Sequence, residues 1–276
     1  MQNKQVKNKG VLYLVPTPIG NIKDISERAK EVFSSVSYIA CEDTRVTSKL
    51  LSLLNIKNKT FSCHEHNEIE ASNKIIKDLL DGLDVAYSSD AGMPCISDPG
   101  EKLVKACIKN GINVVPLPGS NAALTALIAS GFNTSHFYFY GFLDSKNSKK
   151  SEELHGLIKI KDPIVFYESP LRVNETLKEI YSVFGNRKIV IVRELTKIYE
   201  EFIRSDLEAL IKENRVYKGE IVLIIEGNNK EEKINIEEKF EKLKANNFSN
   251  KDITIILSTL YKISKNEIKK YLLENN

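Results

Sequence analysis

A chain of 276 residues, 42 % hydrophobic and 28 % charged, is large enough for two core-forming domains and has neither a disordered nor a fibrous composition. Its net charge of +3 permits a polyanionic partner without requiring one. No run of about 18 apolar residues is present, so no membrane-spanning helix is expected, and Cys41, Cys63, Cys95 and Cys107 lack Cys-x-x-Cys spacing and read as free thiols of a reducing, cytoplasmic compartment.

The basic opening "MQNKQVKNKG" leads into "VLYLV", too short for the apolar core of an export signal and followed by prolines, so it reads as a strand. "DISERAKEVFSS" follows as a helix, with Asp24 or Ser26 as its cap. The alternation continues. "VSYIA" precedes "RVTSKLLSLL", "KTFSC" precedes "NEIEASNKIIKDLLDG", "DVAYSS" precedes "EKLVKACIKNG", and "NVVPLPG" ends the series. Strands alternating with amphipathic helices predict a mostly parallel sheet over residues 10–118.

Over 119–227 the strands "HFYFYGFL", "PIVFYES", "KIVIVREL", "EEFIRSD" and "EIVLIIEG" stand closer together, especially after Lys188, which predicts a mixed sheet. Asp144 to Glu153 is polar and reads as a mobile loop. Residues 230–276 carry three helical patterns and read as a small helical appendage.

Five loops fall at the carboxyl ends of strands, which share one edge of a parallel sheet. "VPTPIGN" has neither the dinucleotide nor the phosphate-loop glycine pattern. "CEDTR" offers Glu42 and Asp43 for proton handling and Arg45 for phosphate, although Asp43 or Thr44 also suits a helix cap. "CHEHNE" brings His64, His66 and Asn67. Without a second Cys/His cluster these suit substrate contact better than zinc. In "SSDAGMPCISDPG", Gly92 permits close approach, Asp98 suits a cap, and Asp90 is left where a ligand would lie. In "PGSNAAL", Ser120 suits a cap.

"SDAGMPCISDPG" resembles the signature of the ribosomal RNA small subunit methyltransferase I family of the tetrapyrrole methylase superfamily. "VPTPIGN", "EDTR", "HEHNE", "PLPGSNAA", "GFL", "FYESP", "RELTK" and "KGE" follow its order along nearly the whole chain. The resemblance implies a two-domain α/β fold, S-adenosyl-L-methionine in the cleft, a homodimer, and 2′-O-methylation of a cytidine in the decoding region of 16S ribosomal RNA, free or in the small subunit. It implies cofactor contacts at Asp90, Ala91, Gly92, Met93, Pro94, Ser120, Asn121, Ala122, Tyr167, Glu168, Leu195, Gly219 and Glu220. "VPTPIGN", where tetrapyrrole methylases often have a glycine-rich loop, speaks against a precorrin substrate.

For the chemistry, Glu42, Asp43 and His64 are the candidate proton acceptors. Arg45, His66, Asn67, Lys146, Lys149 and Lys150 are the candidate RNA contacts. Two other readings compete: a methylase acting on a small molecule or protein residue, and a non-catalytic nucleic-acid-binding protein.

Overall fold

In the computed structural model, residues 8–229, 236–261 and 263–274 are described. The basic residues 1–7 and the first part of the expected appendage, 230–235, lie outside them. The short β-branched runs form two five-stranded sheets.

The first sheet contains β1 (Val11–Leu14), β2 (Tyr38–Cys41), β3 (Thr60–Ser62), β4 (Val85–Ser88) and β5 (Asn113–Pro116). They lie in the order β3-β2-β4-β1-β5, and every pairing is parallel. Helices α1 (Glu27–Ser35), α2 (Thr44–Leu53), α3 (Glu68–Leu80) and α4 (Glu101–Lys109) connect them. Alternation along β4 shows why these strands read as continuous apolar runs. Val85 and Tyr87 join Ile75, Leu79 and Leu103 of α3 and α4, whereas Ala86 joins Val32, Phe33 and Leu51 of α1 and α2. Both faces are buried, as a parallel sheet requires. Ser26 caps α1 by accepting from Ala29 N–H.

A short helix, α5 (Ala122–Ile128), leads to the second sheet of β6 (Tyr138–Phe142), β7 (Ile164–Glu168), β8 (Lys188–Arg193), β9 (Glu201–Asp206) and β10 (Ile221–Ile225). Its order is β6-β7-β10-β8-β9. Strands β6 and β7 run parallel and the other neighbours antiparallel, giving the mixed sheet expected from the sequence. One face carries Phe166, Ile189, Ile191 and Leu223 against α6 (Asn147–Leu157), α7 (Val173–Phe184) and α8 (Leu207–Glu213). The other carries Val165, Val190, Val192 and Val222 against Ala123, Ala126 and Leu127 of α5. Ile19, from the loop after β1, packs in that same cluster and joins the first half to the second sheet.

The mobile loop expected at Asp144 to Glu153 is instead mostly the helix α6. Its few apolar positions, Leu154 and Leu157, are buried in the second-sheet core, so tertiary packing overrides a polar local sequence. Lys150 is fully buried on this helix, with Nζ 3.4 Å from Thr176 Oγ1. It cannot reach a nucleic-acid phosphate, which corrects its place among the RNA contacts.

The chain divides into a unit ending at Asn228, which holds both sheets, and a second unit from Asn229. The second unit contains α9 (Ile236–Ala245), α10 (Asn250–Leu260) and α11 (Lys265–Glu274), packed around Phe240, Ile253, Leu257 and Ile268.

Candidate functional site

Because all five strands of the first sheet point the same way, the loops after them emerge on one edge. The loop after β1 and the loop after β4 are joined directly. Thr17 and Gly92 exchange backbone hydrogen bonds of 2.9 and 3.0 Å, and Thr17 Oγ1 donates to the Ser89 carbonyl at 3.2 Å. Gly92 sits at φ +83°, which favours glycine. The loop after β2 is tied in by Asp43 N–H, which donates to Asp90 Oδ1 at 3.1 Å.

Three capping expectations are resolved by these contacts. Asp43 caps α2, accepting from Arg45 N–H at 2.8 Å. Asp98 does not cap α4. The buried Glu68 of α3 takes that role, accepting from Gly100 N–H and Lys102 N–H at 3.0 and 3.1 Å. Ser120 does not cap α5 either. Asn121 does, accepting from Leu124 N–H at 2.9 Å. In both corrected cases the alternative acceptor lies within reach of the free N–H groups.

Between the strand-end loops and the inner face of the second sheet lies a cavity of about 360 Å³. That is the size of a small-molecule site, about 300–1,000 Å³. The first half contributes Ile19, Ala91–Met93, Ile96–Asp98 and Asn121–Ala122 to its wall. The second contributes Phe142, Tyr167–Pro170, Val192, Leu195 and Gly219–Val222. Of the positions expected to contact a cofactor, Ala91, Gly92, Met93, Asn121, Ala122, Tyr167, Glu168, Leu195, Gly219 and Glu220 lie on this wall. Asp90, Pro94 and Ser120 stand beside it without lining it. Glu42–Arg45 and His64–Asn67 do not line it, so three of the five loops build the cavity and two buttress it.

The second-half wall is held by a motif network. The Glu194 carboxylate accepts from Glu220 N–H at 3.0 Å and from Lys197 Nζ at 2.9 Å, and Lys197 also pairs with Glu220 at 3.1 Å. Gly219, at φ +84°, lies so close to Glu194 that a Cβ would overlap its side chain. Glu168 lines the cavity, but its carboxylate is sealed. It pairs with Arg172 at 2.7 Å and accepts from Thr176 Oγ1 at 2.6 Å and Ser169 N–H at 2.7 Å. Tyr167 packs between Phe139 and Phe142, at ring-centroid distances of 5.2 and 5.4 Å.

No lysine, arginine or histidine lines the cavity, and Asp98 is its one lining carboxylate outside the ion pairs among the described residues. Burial, reinforced by Glu42 and Asp90, pushes the Asp98 carboxyl up to about 6. Burial likewise raises Glu42 and Asp90 above the ordinary carboxyl range. Asp43 moves the other way. Its hydrogen bonds to Arg45 hold it down to about 2, with Arg45 Nη2 2.6 Å from Oδ2.

His64 and His66 lie in the turn beyond β3 rather than on the strand, with rings 6.0 Å apart. Asn67 Oδ1 accepts from His64 N–H at 2.8 Å, so Asn67 shapes this turn. Arg45, Lys146 and Lys149 are exposed. Lys149 stands 3.8 Å from Asp144. Of the wall residues missed from sequence, Ile19, Ile96, Phe142, Val192, Ile221 and Val222 carry apolar side chains that look like ordinary core positions, Asp98 looks like a helix cap, and Ser97 and Ser169 look like ordinary loop residues. Only the meeting of the first-half loops with the second sheet brings them to a common space.

The family described as Tetrapyrrole (Corrin/Porphyrin) Methylases matches residues 11–211. The chain is 48 % identical to the ribosomal RNA small subunit methyltransferase I of Bacillus subtilis (strain 168), over 86 % of this chain and 82 % of that one. It is 40 % identical to the protein of the same name from Vibrio cholerae, over 99 % and 98 %. Among solved structures, diphthine synthase superposes with TM-score 0.64 at 12 % identity, over 79 % of this chain and 90 % of that one. A uroporphyrin-III C-methyl transferase from Thermus thermophilus complexed with S-adenyl homocysteine gives 0.57 at 16 %, over 79 % and 97 %.

Proposed function

Because the chain belongs to the tetrapyrrole methylase family, with ribosomal RNA small subunit methyltransferase I proteins as its near relatives, we propose that it methylates the 2′-oxygen of a cytidine ribose in the decoding region of 16S ribosomal RNA, using S-adenosylmethionine. The observation that carries this reading is the cavity's chemistry. Among the described residues its wall is largely apolar, holds one carboxylate free of ion pairs and presents no cationic side chain. A phosphate-bearing cofactor would find no counter-charge there. A sulfonium with an aromatic base fits both the apolar wall and the negative group.

When bound, S-adenosylmethionine supplies an electrophilic methyl carbon on positively charged sulfur. Ala91–Met93 and Asn121–Ala122 are the proposed contacts from the first half, and Tyr167, Leu195 and Gly219–Glu220 those from the second. Asp90, Pro94 and Ser120 act by fixing the loops that carry the first set, and Glu168 by anchoring the wall through Arg172 and Thr176. Holding the ribose oxygen in line with the methyl group lowers the barrier by several kcal/mol, up to about 7–11 in well-oriented systems.

Arg45, His66, Asn67, Lys146 and Lys149 form the proposed RNA-facing set, with Arg45 matched to a phosphate by its planar fork. A homodimer, a cytoplasmic location and the small ribosomal subunit as partner belong to the same reading. Incubation of small subunits with methyl-labelled S-adenosylmethionine tests it. Label in 16S RNA at a cytidine whose 3′ linkage resists alkali is expected. Label on a base, or on a small molecule or protein instead, would overturn it.

A further inference from the structure

Methyl transfer to a ribose hydroxyl releases a proton, and the three acceptors suggested by the sequence are poorly placed. Asp43 is consumed by α2 and Arg45, and Glu42 and His64 stand off the cavity wall. Among the wall carboxylates, Glu168 is sealed by Arg172 and Thr176, and Glu220 is paired with Lys197. Asp98 is on the wall and in no ion pair among the described residues.

The segment that delivers it is unusual. Cys95 and Ser97 both sit at positive φ, +68° and +62°, which side-chain-bearing residues seldom adopt. Gly141 of β6 lies so close that a Cβ there would stand 2.9 Å from Ser97 Oγ. The strained residues thus stand where the loop meets the second half, and such strain clusters at many functional sites.

We propose that Asp98 is the catalytic base that takes the proton from the attacking 2′-hydroxyl. This rests on the reading given under Proposed function. In the step, the ribose oxygen forms a bond to the methyl carbon while the carbon–sulfur bond breaks, its electron pair passing to sulfur. The hydroxyl proton moves to the Asp98 carboxylate and later to solvent. The sulfonium charge and the carboxylate charge disappear together, so nothing else need be consumed.

The groups facing Asp98 suit it for this role. Glu42 from the loop after β2 and Asp90 at the end of β4 disfavour its charge, Ser89 offers a hydrogen bond, and Cys95 and Tyr167 of β7 lie near it. A base that loses its proton near pH 6 is ionised at neutral pH yet still accepts a proton well.

The test combines a titration, a binding measurement and a rate. The Asp98 carboxyl, followed by carbon-13 NMR in the full chain, is expected to titrate near pH 6. The single-turnover rate of methyl transfer to small subunits should fall about tenfold per pH unit below that point. D98N should transfer methyl at least about 100-fold more slowly at pH 7.5 and lose the acid limb. Its calorimetric affinity for S-adenosylhomocysteine should stay within about threefold, since that ligand carries no sulfonium charge. D98E should retain the limb and guards against misfolding of D98N.

Transfer by D98N within threefold of the parent rate, an unaltered pH profile, or a carboxyl titrating below pH 5 would each overturn the assignment while leaving the methyltransferase reading intact. A parent protein that neither binds S-adenosylhomocysteine nor methylates RNA would overturn both.

Discussion

Glu68 caps a helix to which it does not belong: its Oε1 accepts from the backbone N–H of Gly100 at 3.0 Å, from α3 to the start of α4. The same oxygen accepts from Lys102 N–H, and Oε2 pairs with Lys102 Nζ at 3.2 Å. Gly100 itself has φ +124°, and a Cβ there would stand 2.5 Å from the Tyr87 ring. The signature loop is therefore closed at its far end by a side chain more than thirty residues upstream.

Glu68→Ala leaves the buried Gly100 N–H and the part-buried Lys102 N–H without their acceptor, which costs about 1–3 kcal/mol. Glu68→Gln keeps one acceptor and should cost about 1 kcal/mol. Urea unfolding of the two variants checks the order. Equal stabilities of Ala and parent would mean that water replaces the cap.

Gly219→Ala should be destabilising by about 1–3 kcal/mol, since the position combines positive φ with overlap against Glu194. Glu194 also holds Glu220 N–H, so the cavity wall shifts with it, and affinity for S-adenosylmethionine should fall at least about tenfold. Thermal unfolding and calorimetry together read both effects.

Asp98 predicts a pH-dependent trade between stability and activity. Its folded-state pKa is raised from the ordinary 3.8 to about 6, so the folded chain binds more protons than the unfolded chain between those values. Stability from this group is therefore greatest below about pH 4 and is lost as pH rises through 6. Asp98→Asn removes the cost of a buried charge. It should stabilise the protein at pH 7 by about 1–2 kcal/mol, discounted from the full shift because the group is partly solvated, and by almost nothing at pH 4. Chemical denaturation at the two pH values measures the difference.

Arg45→Ala should reduce RNA methylation several-fold and steepen no cofactor isotherm. Arg45 is an exposed side chain, 89 % accessible, off the cavity wall. Filter binding of RNA at two salt concentrations should also show a shallower salt dependence, by about one phosphate contact. An equal fall in cofactor affinity would mean that Arg45 acts through Asp43 and the Asp43–Asp90 contact instead.

Much of this organisation was legible in the sequence because it repeats. Strand, loop and helix recur five times, and parallel pairing then places the loops on one edge. What failed to show was anything set by contacts distant in the chain. Asp98 and Ser120 have the chemistry of caps and the right local position, but Glu68 and Asn121 offer acceptors with better reach. Lys150 looks like a loop lysine because nothing nearby in sequence reveals the Thr176 and second-sheet core that enclose it. The apolar wall residues were hidden for the same reason. A valine facing a cavity and a valine facing a core obey the same periodicity.

The proposed function places S-adenosylmethionine in the space between the two halves. Ala91 lies on the cavity wall with an exposed side chain, so Ala91→Phe fills the space while sparing the core. Calorimetric titration of the parent and this variant with S-adenosylmethionine is the direct measurement. Saturable binding by the parent, one equivalent per chain, and at least a tenfold loss in the variant at unchanged thermal stability are expected. Equal affinities for the two proteins would contradict it.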